Sequence, residues 1–482
     1  MCHFLAKLLG EDCLFFNVII YFCDGNQSIQ TIERMTKTYV LMLVVWLSLT
    51  SMTTLNACSS RVNPAAKGTP TASEQQPAVA AQTSGEVVLG AARTDAYVPL
   101  LKGKRVALLS NQTGMVGDKH TLDLMLENGV NVVTIFSPEH GFRGNADAGE
   151  HVSSSVDEKT GIPIASLYDG KSPMPSKQVM DGLDVIVTDI QDVGLRFYTY
   201  YVTMINLMDA AVTYGKQFVV LDRPNPNGMY VDGPILDMTL KSGVGRLPIP
   251  TVHGMTLGEL AQMINGEGWL KAGADACDLK VIPCRNYTHQ VKISLIRSPS
   301  PNLKDMRAVY LYSSTCFFEN TAVSVGRGTD FPFEVYGSPY LSGTDFEPAD
   351  GGIAFTFVPQ SMTGAHNPPF EGMECAGADL REIPIEKIWS AGIDLSYLIE
   401  AYHAVQQATP PQQTTSEVFF SSEVSFWGKP DGNHYWIDML SGSDELRTMI
   451  EEGKTAEEIK ASWQEELEAF REQRKPYLLY EE

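Results

Sequence analysis

A short loop of the chain carries residue types that acid–base chemistry requires. Residues 137–144 (Ser-Pro-Glu-His-Gly-Phe-Arg-Gly) follow residues 132–136, an apolar and β-branched run that predicts a buried strand. Glu139 supplies an acid or a base, His140 a second titrating group and Arg143 a fixed cation, while the glycines let the backbone turn sharply. Because ligands of open α/β sheets bind at the carboxyl ends of strands, we interpret this loop as part of an active site. The alternative is a surface turn with an ion pair between Glu139 and Arg143.

The segments around this loop alternate between strand and helix. Apolar runs and helical spacing predict strands over residues 105–110, 131–136, 164–167, 184–190 and 217–221, and helices over residues 119–128 and 200–214. Such alternation predicts a parallel sheet flanked by helices. No G-x-G-x-x-G follows the first strand, so nucleotide binding is not predicted.

Polar side chains follow several of these strands. Because parallel strands place their carboxyl ends along one edge of the sheet, residues that are far apart in the sequence can converge there. The polar residues in these positions are Asn111, Glu139, Asp169, Asp189, Asp192, Arg196, Asp222 and Arg223. Each has a structural alternative, since Asp and Asn also begin turns and cap helices. Their number favours a site over chance.

A second carboxylate lies in an aromatic setting in the C-terminal half. Glu319 directly follows two phenylalanines, and Arg327 stands between two glycines a short distance further on. Burial against aromatic rings would raise the pKa of a glutamate towards that of a general acid. A structural ion pair between Glu319 and Arg327 is an equal alternative. Further elements predicted in this half are a helix opened by the capping-box pair Thr256 and Glu259, a strand over residues 352–358, and helices over residues 395–407 and 455–472.

Composition and charge restrict the class of protein. The 482 residues, 44% hydrophobic and 20% charged, suit a globular protein with two domains or one large one. A net charge of −22 argues against nucleic acid as a partner, because its phosphates would be repelled. The cysteines show neither a C-x-x-C pair nor the spacing of metal ligands, so a zinc site is not expected. No cofactor of another kind is predicted. Cys277, Cys284, Cys316 and Cys375 are either buried thiols or disulfides.

The N-terminus is organised like a bacterial lipoprotein leader. Arg34 and Lys37 precede a short apolar run at residues 39–49, and residues 55–58 (Leu-Asn-Ala-Cys) resemble a lipobox. The resemblance makes Cys58 the expected lipidation site and the first residue of the mature protein.

Residues 1–58 are therefore predicted to be a signal and lipoprotein leader. Residues 1–34 are interpreted as an over-extended start, with a second hydrophobic segment as the alternative. Residues 59–86, which are rich in Ala, Pro, Ser, Thr and Gln, are predicted to be a flexible linker. We expect an extracytoplasmic bacterial protein, in the periplasm or at the outer-membrane face, held to the membrane by a lipid anchor on Cys58.

Five motifs, in this order along the chain, resemble those of one family. They are residues 137–141 (Ser-Pro-Glu-His-Gly), 189–200 (Asp-Ile-Gln-Asp-Val-Gly-Leu-Arg-Phe-Tyr-Thr-Tyr), 222–226 (Asp-Arg-Pro-Asn-Pro), 253–256 (His-Gly-Met-Thr) and 318–329, which contains Glu319 and Arg327. Together they resemble the NamZ family of exo-β-N-acetylmuramidases, and the resemblance runs from about residue 88 to the C-terminus. Two positions depart from the family pattern, because Asn320 stands in place of Gly and Lys304 in place of Pro.

The resemblance implies an architecture and an activity. It implies a Rossmann-like parallel-sheet domain, assigned to residues 87–245, and a smaller α+β C-terminal domain, assigned to residues 246–482, with the active site in the cleft between them. The implied activity is the release of N-acetylmuramic acid from the non-reducing end of peptidoglycan fragments, so muropeptides are the expected partners. The family's catalytic glutamate corresponds to Glu139.

Known glycosidase chemistry assigns roles to the remaining residues. Because glycosidic cleavage commonly uses two carboxyl groups, we expect Glu139 to be the principal acid/base and Glu319, Asp189 or Asp192 to be its partner. The lactyl carboxylate of the sugar needs a cation, for which Arg143, Arg196 and Arg327 are candidates, since guanidinium binds carboxylate bidentately. The other predicted substrate-binding residues are Asn111, His140, Tyr198, Asp222, Arg223, Asn225 and His253. The sugar's own 2-acetamido group is an alternative nucleophile.

Two other functions compete with this interpretation. A non-catalytic lipoprotein would use the same cleft only to hold muropeptides. An esterase or deacetylase of the same polymer is less favoured, because the sequence contains neither a G-x-S-x-G elbow nor a cluster of metal ligands.

Overall fold

The computed structural model describes residues 85–139, 141–142, 154–167, 172–348, 351–408, 418–420 and 435–482. The strands in this part of the chain are β1 Arg105–Ser110, β2 Met115–Val116, β3 Lys119–His120, β4 Asn131–Ser137, β5 Ser155–Val156, β6 Pro163–Ser166, β7 Val185–Asp189, β8 Gln217–Leu221, β9 Asp232–Ile235, β10 Pro250–Val252, β11 Leu279–Ile282, β12 Val335–Ser338, β13 Ile353–Phe357 and β14 Cys375–Asp379. The α-helices are α1 Thr94–Leu101, α2 Thr121–Glu127, α3 Lys177–Asp181, α4 Tyr200–Thr213, α5 Leu257–Gly266, α6 Met306–Thr315, α7 Ile385–Ala391, α8 Ser396–Ala408, α9 Trp436–Ser441, α10 Glu445–Glu451, α11 Ala456–Ser462 and α12 Gln464–Arg474.

A mixed sheet of seven strands organises the N-terminal part. Its order is β11-β8-β7-β1-β4-β6-β5, and every pair is parallel except β5 with β6. Numbered along the chain, the six parallel strands stand in the order 6-5-4-1-2-3, which is the order of a doubly wound nucleotide-binding fold. The direction of winding reverses between β1 and β7. The predicted Rossmann-like α/β sheet is therefore confirmed.

Both faces of this sheet are buried, which explains its apolar strand sequences. In β1, Val106 and Leu108 belong to one hydrophobic cluster, whereas Ala107 and Leu109 belong to another on the opposite face. Strands buried on both faces have nearly continuous apolar sequences rather than alternating ones. The second cluster extends without a break into the C-terminal part, so a single core joins the two parts.

Two predicted helices differ from the observed ones. Lys119–His120 forms strand β3 instead of the first turn of the predicted helix, and α2 begins at Thr121, where His120 Nδ1 accepts a hydrogen bond from Leu122 N at 3.1 Å. The predicted helix over residues 455–472 is two helices, α11 and α12, which meet at Trp463. The buried Trp463 indole donates to Asp232 Oδ1 at 3.1 Å, which draws the chain inward and interrupts the helix.

The C-terminal part is a smaller α+β assembly. Strands β12, β14 and β13 form an antiparallel sheet in that order, and helices α6 to α12 belong to the same part of the chain. Strand β13 and helix α8 confirm the strand and the helix predicted at residues 352–358 and 395–407. The division between residues 245 and 246 stays a prediction, and the last strand of the large sheet, β11, follows it in the chain. No helix within the described ranges is both long and apolar enough to cross a membrane.

A fully buried arginine ties the two parts together. The Arg196 guanidinium donates from Nη1 to the carbonyl oxygens of Pro234 (2.8 Å) and Ile249 (2.7 Å) and from Nη2 to those of Leu440 (3.0 Å) and Ser441 (2.5 Å). Burial lowers its pKa to about 10, so it is still charged at neutral pH. The charge is balanced by backbone dipoles from the β9–β10 region and from the end of α9.

The final residues of the chain close over the beginning of α5. The Tyr480 hydroxyl donates to Asp222 Oδ2 at 2.6 Å, and Leu479 N donates to Glu259 Oε1 at 2.8 Å. Thr256 and Glu259 form the predicted capping box. Burial raises the pKa of Asp222 to about 6, although the Tyr480 hydrogen bond partly opposes the change.

We expect Arg196→Lys to lower the free energy of unfolding by about 3 kcal/mol, because an ammonium cannot reach the four carbonyl oxygens and buried polar groups lose their partners. Urea denaturation measures this change. Arg285→Lys is the matched control, since Arg285 forms a surface pair with Asp95 at 3.8 Å, and we expect it to cost less than about 1 kcal/mol. Equal effects of the two substitutions would contradict the role assigned to Arg196.

We expect Tyr480→Phe to lower the free energy of unfolding by about 2 kcal/mol at about pH 8 and by about 1 kcal/mol at about pH 5. The loss is larger at the higher pH because a hydrogen bond to a charged acceptor is stronger than one to a neutral acceptor. The folded pKa of Asp222 is raised to about 6 from 3.8, so its ionisation costs stability as the pH rises through that window. Removing the hydroxyl donor enlarges this cost. Urea denaturation across this pH range measures the difference.

Tyr477→Phe is the control for this experiment, because it removes a hydroxyl bond of 2.7 Å to the less buried carboxylate of Glu267. We expect a smaller loss of stability than for Tyr480→Phe, because the bond that it removes lies nearer to solvent. A Tyr480→Phe effect that shrinks with rising pH would show that Asp222 is not the acceptor that matters.

Candidate active site

A cavity of about 580 Å³ lies at the carboxyl edge of the large sheet, against the C-terminal part. Its volume falls within the range of about 300–1,000 Å³ that is usual for small-ligand sites. The wall comprises Glu139, residues 197–200, Val244, Ser300, Leu303, Tyr312, Cys316, Glu319, Asn320, Arg327, Phe333, residues 364–369, Trp436 and Leu440. Four predicted site residues thus meet in one place: Glu139, Glu319, Tyr198 and Arg327.

Glu139 is positioned by a turn after β4 and by the start of α4. The turn closes through a hydrogen bond from Gly141 N to Pro138 O at 3.1 Å, and Gly141 has a φ of +77°, which glycine adopts without steric cost. The Thr199 hydroxyl, at the N-cap of α4, donates to Glu139 Oε2 at 2.5 Å. Glu139 is 6% exposed and lines the cavity. His140 and Arg143, predicted beside it, lie outside the described residues.

Glu319 is held in an ion pair on the cavity wall. Arg327 Nε and Nη2 each lie 2.6 Å from Glu319 Oε1, and the Cys316 thiol lies 3.7 Å from Oε2. Burial opposes the charge of Arg327, but the adjacent Glu319 carboxylate raises the pKa of the guanidinium above its usual value. The Arg327 guanidinium also lies over the Phe333 ring at 5.0 Å. The Glu319–Arg327 pair therefore has one defined orientation.

Two tyrosines form a fixed polar wall. The hydroxyls of Tyr198 and Tyr200 both donate to Pro299 O at 2.8 Å, and Asn111 Nδ2 donates to the Tyr200 hydroxyl at 2.8 Å. Burial raises the pKa of both tyrosines, so they stay protonated donors. Asn111 itself is fully buried and does not line the cavity, and its Oδ1 accepts from the Thr113 hydroxyl at 2.6 Å. Its role in the fold is to position Tyr200.

Asp189 and Arg223 form a buried ion pair at the carboxyl ends of β7 and β8. Arg223 Nε and Nη2 lie 2.6 and 2.9 Å from the two carboxylate oxygens of Asp189, and Nη2 also donates to Met115 O at 3.1 Å. Neither side chain lines the cavity. The pair lies beside the point where the winding of the sheet reverses, which is the usual ligand position in this type of sheet.

Asp192 also lies away from the cavity. Its Oδ1 accepts a hydrogen bond from Gly194 N at 2.7 Å, whereas Oδ2 is buried and has no hydrogen-bond partner among the described residues. Burial raises its pKa to about 7, against the opposing effect of backbone N–H groups that include Gly194.

The remaining predicted site residues are buried and form hydrogen bonds with other groups of the protein, mostly in the backbone. Arg196 and Asp222 make the contacts described above, and neither lines the cavity. Asn225 Nδ2 donates to Met255 O at 2.8 Å, and its Oδ1 accepts from a backbone N–H. Burial, with a contribution from nearby arginines, lowers the pKa of His253 to about 3, so its neutral ring accepts from Met255 N at 3.2 Å.

Several cavity residues were not predicted from the sequence. They include Phe197, Thr199, Tyr200, Ser300, Tyr312, Cys316, His366 and Asn367. Thr199 and Tyr200 lie within the second motif and were given no role, whereas His366 and Asn367 precede two prolines in a segment with no recognised motif. Cys277, Cys284, Cys316 and Cys375 are buried free thiols rather than disulfides. Across the described ranges no group of three His, Cys, Asp or Glu side chains is placed to hold a metal ion.

Two solved structures have a similar fold. Both are crystal structures of DUF1343 family proteins from Bacteroides fragilis NCTC 9343. One is 50% identical with a TM-score of 0.69, and the similarity covers 83% of this chain and 100% of that chain. The other is 26% identical with a TM-score of 0.66, covering 82% and 99% respectively.

Sequence comparison connects both halves of the chain to one family. A curated relative from Bacillus subtilis (strain 168), the peptidoglycan β-N-acetylmuramidase NamZ, is 36% identical over 394 residues, which are 80% of this chain and 89% of the relative. A model of the N-terminal part of exo-β-N-acetylmuramidase NamZ matches residues 106–307, and a model of its C-terminal part matches residues 310–480. The cavity is lined by residues of both regions. The chain therefore belongs to the NamZ family of exo-β-N-acetylmuramidases.

Proposed function

We propose that this protein is an exo-acting glycoside hydrolase that releases N-acetylmuramic acid from the non-reducing end of peptidoglycan fragments. The observation that carries the proposal is that two glutamates, Glu139 and Glu319, line the same cavity. Two carboxyl groups flanking one bond are what most glycosidases use. A cavity of about 580 Å³ also suits the end of a sugar chain better than a long stretch of it.

Glu139 is the proton donor in this proposal. It protonates the glycosidic oxygen as the bond to the anomeric carbon breaks, water adds to that carbon, and the proton released by the water restores the acid. The Thr199 hydroxyl, bound to Glu139 Oε2 at 2.5 Å, keeps the carboxyl group in one orientation. Fixed orientation supports proton transfer because the donor must be within hydrogen-bond reach of the leaving oxygen.

Glu319 is the partner carboxylate. The other two candidates, Asp189 and Asp192, do not line the cavity. An ion-paired carboxylate is suited to stabilising the positive charge that develops on the sugar ring, either directly or by orienting the 2-acetamido group of the substrate.

Arg327 is the proposed partner of the lactyl carboxylate. Of the three arginine candidates it is the one described on the cavity wall, since Arg196 is bound to backbone carbonyls and Arg143 lies outside the described residues. Its Nε and Nη2 contact Glu319, and Nη1 has no hydrogen-bond partner within the described ranges. A guanidinium can therefore bridge Glu319 and a substrate carboxylate.

The sequence also supports a location for the protein. We propose that Cys58 carries a lipid anchor and that the catalytic part is extracytoplasmic, tethered by residues 59–86. The support is the basic segment, the apolar run and the lipobox-like Leu-Asn-Ala-Cys.

We expect Glu139→Gln to lower the turnover of a chromogenic β-N-acetylmuramide by roughly 10²- to 10⁴-fold, the usual contribution of a general acid, while muropeptide binding survives. Turnover is followed by absorbance and binding by calorimetry. Glu127→Gln, at an exposed glutamate paired with Lys119, is the matched control and should leave both unchanged.

The N-acetylglucosamine counterpart, which lacks the lactyl group, should not be hydrolysed at a comparable rate. Full turnover by Glu139→Gln would overturn the assignment of the acid. Muropeptide binding with no release from either chromogenic sugar by the wild-type protein would instead favour the non-catalytic binding protein.

We expect Cys58→Ala to abolish incorporation of labelled palmitate, because the acylated side chain is removed. Metabolic labelling measures this effect. Cys277→Ala, which removes a buried free thiol, is the control and should leave the labelling unchanged. A Cys58→Ala protein that still incorporates palmitate would contradict the anchor.

A further inference from the structure

The backbone of Phe333 has a conformation that a bulky side chain seldom adopts. Its φ is +67°, in the left-handed region, where a bulky residue is a genuine outlier. Residues held in such conformations cost stability and are concentrated at active sites and ligand clamps. Phe333 lines the cavity and is only 1% exposed, so this outlier belongs to the candidate site and not to a surface turn.

Hydrogen bonds within one loop hold Phe333 in place. Phe333 N donates to Val325 O at 2.7 Å, which closes the loop between these two residues. Inside the loop, Thr329 N donates to Gly326 O at 3.1 Å. Arg327 lies within the same loop. The closure therefore brings the phenylalanine back beside the arginine that precedes it in the chain.

The ring of Phe333 lies against the guanidinium of Arg327. Arg327 Cζ is 5.0 Å from the ring centroid, which is within the distance of a cation–π contact. The ring also packs edge-to-face with Tyr312, at a centroid distance of 4.7 Å. Because Phe333 is buried, the contact with the guanidinium is shielded from water, and such contacts are stronger there than on the surface.

Contact with the ring leaves the donors of Arg327 to carboxylates. A ring engages the face of the guanidinium, whereas its N–H groups lie in its plane. Nε and Nη2 of Arg327 lie 2.6 Å from Glu319 Oε1, and Nη1 has no hydrogen-bond partner within the described ranges. A guanidinium that is already held at its face and at one edge loses little further freedom when a second carboxylate binds.

We infer that Phe333 is a positioning residue for recognition of the lactyl carboxylate. The inference rests on the proposed function and adds to it the residue that orients Arg327. The aromatic face fixes the plane of the guanidinium and so the direction of Nη1. The unfavourable φ of Phe333 is what placing the ring at this point requires.

The test is Phe333→Leu, assayed with the chromogenic β-N-acetylmuramide and with the same sugar whose lactyl carboxyl group is converted to an amide. Leucine is also bulky at a positive φ, so the backbone cost is similar and the aromatic face is lost. We expect kcat/KM for the acid to fall by about 3- to 30-fold, the range of a cation–π contact.

The lactyl amide separates positioning of Arg327 from damage to the site. Its kcat/KM should change less than about twofold, because it has no charge for Arg327 to bind. Both substrates need Glu319, so a loss that acted through Glu319 would appear with both. The preference for the acid over the amide should therefore fall by nearly the full factor.

A second variant removes the electrostatic contact without removing the ring. Phe333→pentafluorophenylalanine reverses the charge distribution of the ring face and fills nearly the same space. We expect it to lose the preference for the acid as Phe333→Leu does. Its thermal midpoint should stay within about 3 °C of the wild type, because packing is nearly conserved.

Phe331→Leu is the matched control. The Arg381 guanidinium lies over the Phe331 ring at 3.6 Å, so this substitution also removes a cation–π contact, from the same loop. Phe331 does not line the cavity. Both kinetic values should stay within about twofold of the wild type.

An unchanged preference in the pentafluorophenylalanine variant, or an equal loss on both substrates in Phe333→Leu, would overturn the inference. Failure of the proposed function gives a different result, because the wild-type protein would then release neither chromogen, and the inference would fall with it.

Discussion

The buried guanidinium of Arg196 is the interaction on which the site depends. A charge buried away from solvent is costly unless hydrogen bonds compensate it, and here four backbone carbonyl oxygens accept from Nη1 and Nη2, although Nε has no partner among the described residues. The residues that follow it, Tyr198 and Thr199, line the cavity, and Thr199 bonds to Glu139. The arginine thus fixes the start of α4 relative to the C-terminal part, and the orientation of the proposed acid follows from that.

The sheet has the strand order of a nucleotide-binding fold, but the usual ligand position is filled by protein. The Asp189–Arg223 pair and the Asn111 network occupy the carboxyl ends of the central strands. The cavity lies instead beyond β4, where the C-terminal part supplies the opposite wall. The same strand order therefore serves a different ligand site, because function depends on the side chains at the sheet edge rather than on the sheet.

Prediction from the sequence succeeded for the secondary-structure elements that are determined by a local pattern of apolar residues. Apolar runs identified β1, β4, β7 and β8, since strands buried on both faces need apolar residues throughout. Edge strands such as β5 and β11 were not found, because they are short and partly exposed. The break between α11 and α12 depends on Trp463 reaching Asp232, a distant contact that no local pattern encodes.

The difference between local pattern and distant contact also explains which site residues were predicted correctly. Glu139, Glu319, Tyr198 and Arg327 were predicted from their motifs and do line the cavity. Arg196 and His253 belong to motifs of equal strength, yet they face backbone groups in the core. A motif records that a residue type is needed, and only the tertiary structure decides whether its partner is a substrate or a carbonyl oxygen.

Cys316 has a consequence for the chemistry of the cavity under oxidative stress. Burial and the nearby Glu319 carboxylate raise the pKa of its thiol well above the usual value. Since the thiolate is the form that peroxides and electrophiles attack, we expect this buried thiol to react slowly with them although it lines the cavity. In an oxidising compartment the side chain beside Glu319 would stay a neutral thiol, and cysteine-directed inhibitors would find little reactivity in the cavity.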